Sequence, residues 1–137
     1  MIETTLPAKR AISEIVHAYR MIQGDDKRPL SLRDFSQALS DILEPYGGSV
    51  SHQSVKNWED RTHLPHHFFM MQIVFHAPMD WRRDFAQDVL AALNPKLYQP
   101  ATDIGRRAIE NGQKEIIRFR SSSTAARHIS SSNGTQP

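Results

Sequence analysis

The chain has 137 residues, a formal charge of +2, 39% apolar residues and a mean hydropathy of −0.54. That composition supports one modest core, in a single domain of ordinary size with room for a tail. No apolar run approaches the ~20 residues of a membrane-spanning helix, and a chain without cysteine forms no disulfide, thiolate zinc site or thiol nucleophile. Met1 to Arg10 holds no apolar stretch resembling a signal peptide, so the expected location is cytoplasmic. The charge is unevenly spread: residues 1–95 hold 10 Lys/Arg against 12 Asp/Glu, and residues 96–137 hold 7 against 3. A near-neutral body with a basic end weakly favours an anionic partner, nucleic acid being the commonest; a solvated basic tail is the plainer alternative.

The apolar spacing predicts helices almost throughout. Ile12, Ile15, Val16, Tyr19 and Ile22 share one face of a first helix, closed by Gly24-Asp25-Asp26. Ser31 is an N-cap with Asp34 three residues on, and Leu32, Phe35, Leu39, Ile42 and Leu43 line a second helix. Glu44-Pro45-Tyr46-Gly47-Gly48 ends it, because proline disfavours helix at the residue before it and glycine permits positive φ. Ser51 caps a third helix, 51–60, with Val50 and Val55 placed as a hydrophobic staple. Only Val55 and Trp58 of that helix face a core.

Leu64-Pro65 leads into a fourth helix, apolar on nearly all sides from Phe68 to Phe75 and stopped by Pro78. Such a helix is either enclosed by its own domain or keeps a second face for a partner, here a dimer mate. Asp80 caps a fifth helix with Trp81, Phe85, Val89, Leu90 and Leu93 inward, ended by Asn94-Pro95. Beyond it, residues 96–120 read as a basic extension with one short helix, Asp103 to Asn111, stopped by Gly112. Ile116-Ile117-Arg118-Phe119 fits either a helix extension or a short strand. Residues 121–137 are Ser-rich and read as a disordered tail.

The chemistry-bearing feature is the second helix, a turn and the polar third helix. A base-reading helix needs an outer face that pairs with base edges in a major groove about 12 Å wide. Gln and Asn pair with adenine, Lys and Arg with guanine, and Ser with several bases. His52, Gln53, Ser54, Lys56 and Asn57 form that face, and the free N–H groups of its first turn suit phosphate oxygens. Arg33, in the first turn of the second helix, is placed for the flanking backbone.

Leu32-Arg33-Asp34-Phe35-Ser36-Gln37-Ala38-Leu39 followed by Ser51-His52-Gln53-Ser54-Val55-Lys56-Asn57-Trp58-Glu59 resembles the phage-repressor/Cro-like (XRE-type) helix-turn-helix family. Ser51, Ser54, Val55, Trp58 and Glu59 match its recognition-helix pattern, and the resemblance covers residues 8–95. It implies an all-α, five-helix lambda-repressor-like domain that binds double-stranded DNA as a transcriptional regulator, with helix 51–60 in the major groove. By this resemblance His52, Gln53 and Asn57 read bases and Lys56 meets phosphate or flanking bases, so the candidate base-reading set is His52, Gln53, Lys56 and Asn57. Ser31, Arg33, Ser51, Ser54, Arg61 and His63 are the candidate backbone contacts. Members often act as dimers, so a homodimer interface is an expectation of the resemblance, while the sequence itself leaves the oligomeric state open. One departure is a second-to-third-helix connection longer than the family's short turn. The other is a body of net −2 where DNA-binding surfaces are normally basic.

The competing reading is a protein-interaction module that keeps the helix-turn-helix fold without specific DNA binding. His63 and His67 stand four apart, as metal-binding pairs do, but Pro65 lies between them and no H-E-x-x-H pattern occurs, so they read as helix-entrance residues. His63 or His66 then serves as a phosphate contact. Neither G-x-G-x-x-G, nor G-x-x-x-x-G-K-[ST], nor G-x-S-x-G occurs. The expectation is no enzyme, no cofactor, no metal and no small-molecule effector.

Overall fold

The computed structural model describes residues 2–115, with side chains from residue 5 onward. The expectations for 116–120 and for the Ser-rich 121–137 lie outside them. The elements are α1 (Ile2–Gln23), α2 (Leu32–Leu43), a single 3-10 turn (Glu44–Tyr46), α3 (His52–Glu59), α4 (His67–His76) and α5 (Trp81–Leu93). A sixth helix, α6, covers 103–115. Among the described residues there is no strand, only an isolated bridge between Asp25 and Arg28, so the all-α class expected from the spacing stands. No helix among them is long and apolar enough to cross a membrane.

The starts of the helices are built as their sequences dictate. Ser31 Oγ accepts from the Asp34 N–H at 3.0 Å and Ser51 Oγ from the Ser54 N–H at 3.1 Å, each satisfying a donor that has no partner within its helix. Asp80 does the same for Arg82 at 2.9 Å. The α2 helix stops before Pro45, and the connection turns at Gly47, whose φ of +83° is a conformation that glycine adopts without strain.

The core forms where α1 packs on α5 and α3, α2 on α3 and α4, and α4 on α5. Phe35 and Phe85 are fully buried and meet edge to face at 5.1 Å, with Tyr19 against Phe85 at 5.5 Å. Ile22, expected inward, is 61% exposed. The chain returns at Leu30, whose N–H donates to the Arg20 carbonyl at 2.8 Å, and Leu30 packs against the core at that end. Gly112, expected to stop the last helix, lies inside it. A Cβ there would come within 2.5 Å of the Pro7 carbonyl oxygen, so its role is close approach of α6 to α1.

Residues 96–115 are joined to this body through Asp88, fully buried on α5. Its carboxyl oxygens accept from the Tyr19 hydroxyl at 2.7 Å, the Ala101 N–H at 2.7 Å, the Thr102 N–H at 3.1 Å and the Thr102 hydroxyl at 2.7 Å. One side chain thereby links α1, α5 and the entrance of α6. Burial pushes the Tyr19 hydroxyl above the usual tyrosine range, which keeps it a donor to Asp88.

Two outcomes follow for stability. Asp88→Ala leaves buried donors without acceptors and is expected to cost about 2–5 kcal/mol in urea unfolding, against about 1 kcal/mol for Tyr19→Phe; equal, small losses would contradict the linking role. At α5, the Arg82 guanidinium hydrogen bond holds the Asp80 carboxyl below its usual range, against partial burial that raises it. A depressed carboxyl contributes stability above the ordinary aspartate value of about 4, and loses it as pH falls through the folded value. The stability gap between wild type and Asp80→Asn is therefore expected to hold near neutrality and to close in acid. A gap that does not narrow in acid would contradict it.

Candidate nucleic-acid interface

The α3 helix is two turns long and held by two fully inward side chains, Val55 and Trp58 at 0% and 5% exposed. Isolated helices of that length are unstable in water, so neighbouring elements fix it. At its start, Ser40 of α2 both donates to the Val50 carbonyl at 3.0 Å and accepts from the Val50 N–H at 2.9 Å. Val50 and Val55 are both buried, as the predicted staple requires.

At its end, Arg20 of α1 donates to the Glu59 carboxyl at 2.5 Å and to the Leu30 carbonyl at 2.7 Å, while the Ser13 hydroxyl donates to the Glu59 carbonyl at 2.5 Å. The other Glu59 carboxyl oxygen faces His17 Nδ1 at 3.5 Å. The pair is largely shielded, with Arg20 and Glu59 side chains 12% and 20% exposed. A carboxylate in a last helical turn opposes the helix dipole, and the guanidinium offsets that penalty while tying α3 to α1 and to the approach to α2.

Outward, His52, Gln53 and Lys56 are exposed, and Ser54 and Asn57 are half-buried. The Gln53 amide donates to the Asn57 side-chain oxygen at 3.0 Å. Among the described residues no other hydrogen bond takes the Gln53 side-chain oxygen or the Asn57 amide N–H groups, which leaves an acceptor and donors on neighbouring side chains. Ser51 and Ser54 hydroxyl oxygens are 3.0 Å apart at the entrance of α3. Lys56 is not a free cation: its ammonium meets Asp60 at 2.5 Å, which also raises it above the usual lysine range.

The backbone candidates fall into separate places. Ser31 and Arg33 sit exposed in the cap and first turn of α2, and Arg33 has no acidic partner among the described residues. Arg61 has a φ of +65° just past α3 and reaches toward Glu115 of α6 at 3.4 Å. His63, by contrast, returns to the flank of α3. With Ser54, Asn57, Trp58, His66 and Phe69 it lines a cleft of about 270 Å³. His63 and His67 share no helix, since α4 begins at His67, and the described residues contain no metal-holding cluster of His, Asp or Glu.

Sequence reasoning missed Arg20, Ser13 and Ser40, the residues that hold α3 in place. A trace of Arg20 is visible in the sequence: it continues the Ile12–Val16 stripe four residues on, a charge on an inward face. Comparison with known proteins found no matching family model, no matching curated protein and no matching solved structure.

Arg20→Ala removes both hydrogen bonds and leaves Glu59 without its cation. It is expected to lower stability by about 1–3 kcal/mol and to speed amide exchange in α3 before α5. Uniform acceleration across all helices would contradict a local role for this pair.

Proposed function

We propose that this chain is a sequence-specific double-stranded DNA-binding protein of the phage-repressor/Cro-like helix-turn-helix kind, acting as a transcriptional regulator. In this reading α2 lies across the DNA backbone and α3 enters the major groove. The observation that carries it is the division of α3 itself. Its two large apolar side chains are buried, and an ordered row of amide, imidazole and hydroxyl groups faces outward from a helix clamped at both ends. The Gln53–Asn57 pair presents the acceptor-plus-donor pattern that the adenine edge complements. Ser51, Ser54 and the first-turn N–H groups serve phosphate oxygens, with Arg33 on the flanking backbone.

A second reading, a protein-interaction module on the same helices, draws on charge. Lys56 and Arg61 both face carboxylates, and the sequence body is net −2. The two readings differ in what a duplex does.

Selection from a random duplex library at physiological salt is expected to enrich one motif. Against that motif, Gln53→Ala is expected to cost ~1–3 kcal/mol and to relax one base position, while Arg33→Ala weakens all sequences alike. No enrichment, with binding that fades at modest salt, would leave only nonspecific attraction and favour the interaction module.

A further inference from the structure

The cleft of about 270 Å³ on the flank of α3 is larger than the proposed DNA contacts need. Buried Trp58 and half-buried Leu64 and Phe69 give it apolar walls, and His63, His66 and Asn57 add polar groups. Phe69 is fixed in place, since a Cβ at Gly48 would meet its ring at 3.2 Å. No local motif encodes this cleft, because its lining comes from α3, the turn after it and α4.

The two imidazoles carry opposite hydrogen-bonding edges. The Phe68 N–H donates to His66 Nδ1 at 3.2 Å, so the proton of the neutral ring sits on Nε2, a donor. His63 is the reverse. Thr62 has one hydroxyl proton, and the Asn57 carbonyl takes it at 3.1 Å. The Thr62 oxygen therefore accepts from His63 Nδ1 at 3.3 Å, which leaves Nε2 of the neutral His63 ring as an acceptor. Among the described residues no hydrogen bond takes either Nε2 or the Asn57 amide N–H groups.

We infer that this cleft binds a small, neutral, planar heteroaromatic molecule of purine-base size, its hydrogen-bond donor toward His63 and its acceptor toward His66. Three features select that class. The volume lies at the lower end of ligand pockets, ~300–1,000 Å³, which suits one or two fused rings. The lining holds no Asp, Glu, Lys or Arg, so a charged ligand would lose water without gaining a counter-charge. Between apolar walls that favour a flat ring, the paired acceptor and donor match the neighbouring donor and acceptor on a purine edge.

The cleft shares Ser54 and Asn57 with the α3 surface. A ring that accepts from the Asn57 amide takes donors that the DNA reading assigns to a base, so ligand and duplex compete, each weakening the other. That competition rests on the DNA reading; the site itself does not and is tested without DNA.

Adenine and, separately, hypoxanthine are titrated to millimolar concentration into the isotope-labelled full chain, and amide shifts are followed. At least one is expected to give saturable shifts at Ser54, Asn57, His63, His66 and Phe69. Toluene, a flat ring without a polar edge, is expected to bind roughly tenfold more weakly. His63→Phe keeps a ring but removes the acceptor, and His66→Asn keeps a capping acceptor for α4 but removes the Nε2–H. Each is expected to weaken purine binding about tenfold with unchanged helical circular dichroism, since both side chains are exposed. No saturable shift with either purine would overturn the inference. So would shifts centred on Met71, Val74 and Tyr98, which line a separate groove. Toluene binding as tightly as purine, or both variants binding like wild type, would overturn the ligand class. Purine binding without any enriched duplex would uphold the site while removing the DNA reading.

Discussion

The arrangement of this molecule depends on the shielded Arg20–Glu59 pair. The α3 helix is too short and too polar to hold a position by its own burial, with only Val55 and Trp58 in the core. One guanidinium reaches both its last turn and the Leu30 carbonyl ahead of α2, so α1, the end of α3 and the approach to α2 meet at a single side chain. Ser13 on the Glu59 carbonyl and Ser40 on Val50 complete the frame. Because these clamps act on the ends and the inner side of α3, none consumes the outward groups of His52, Gln53 or Asn57. A helix held in this way presents a preorganised polar face, and preorganisation lowers the ordering cost of recognition.

A second polar junction closes the opposite side. Asp88 gathers Tyr19 and the backbone entering α6, so the 96–115 segment is part of the folded body. At the far end of α6, Glu115 faces Arg61 at 3.4 Å and Arg10 at 3.7 Å. Glu115 therefore lies near the end of α3, and Arg61 is drawn toward this carboxylate on α6. The acidic partners of Arg61 and Lys56 make hydrogen bonding, more than net charge, the main resource of the α3 surface.

Much of this was legible in the sequence because local rules coincide with the final structure. The caps at Ser31, Ser51 and Asp80, the break at Pro45 and the staple of Val50 with Val55 are all decided within a few residues. Where tertiary contacts decide, local reading failed. Ile22 fits the α1 stripe yet lies exposed, because the chain doubles back at Leu30. Gly112 has the form of a helix stop but is the point where α6 meets Pro7. Asp88 and Arg20 are charges in register with apolar stripes, and their partners lie 13 to 69 and 10 to 39 residues away in the sequence. The outward set on α3 was legible because a two-anchor helix leaves those positions no other direction. The separate destinations of Arg61 and His63 were not, since both depend on how the chain leaves α3. The α4 run, readable as core or as a partner face, is core at Met70 and Ile73 and exposed at Phe68 and Phe75.

The central claim is that the outer face of α3 is the working surface. Amide chemical shifts of the isotope-labelled chain, followed while a short duplex of mixed sequence is added, test it most directly. The account predicts shifts concentrated in residues 51–57 and at Ser31–Arg33, with α5 and the α4 face undisturbed. Shifts centred on Phe68–Phe75, or none at all at duplex excess, would contradict it.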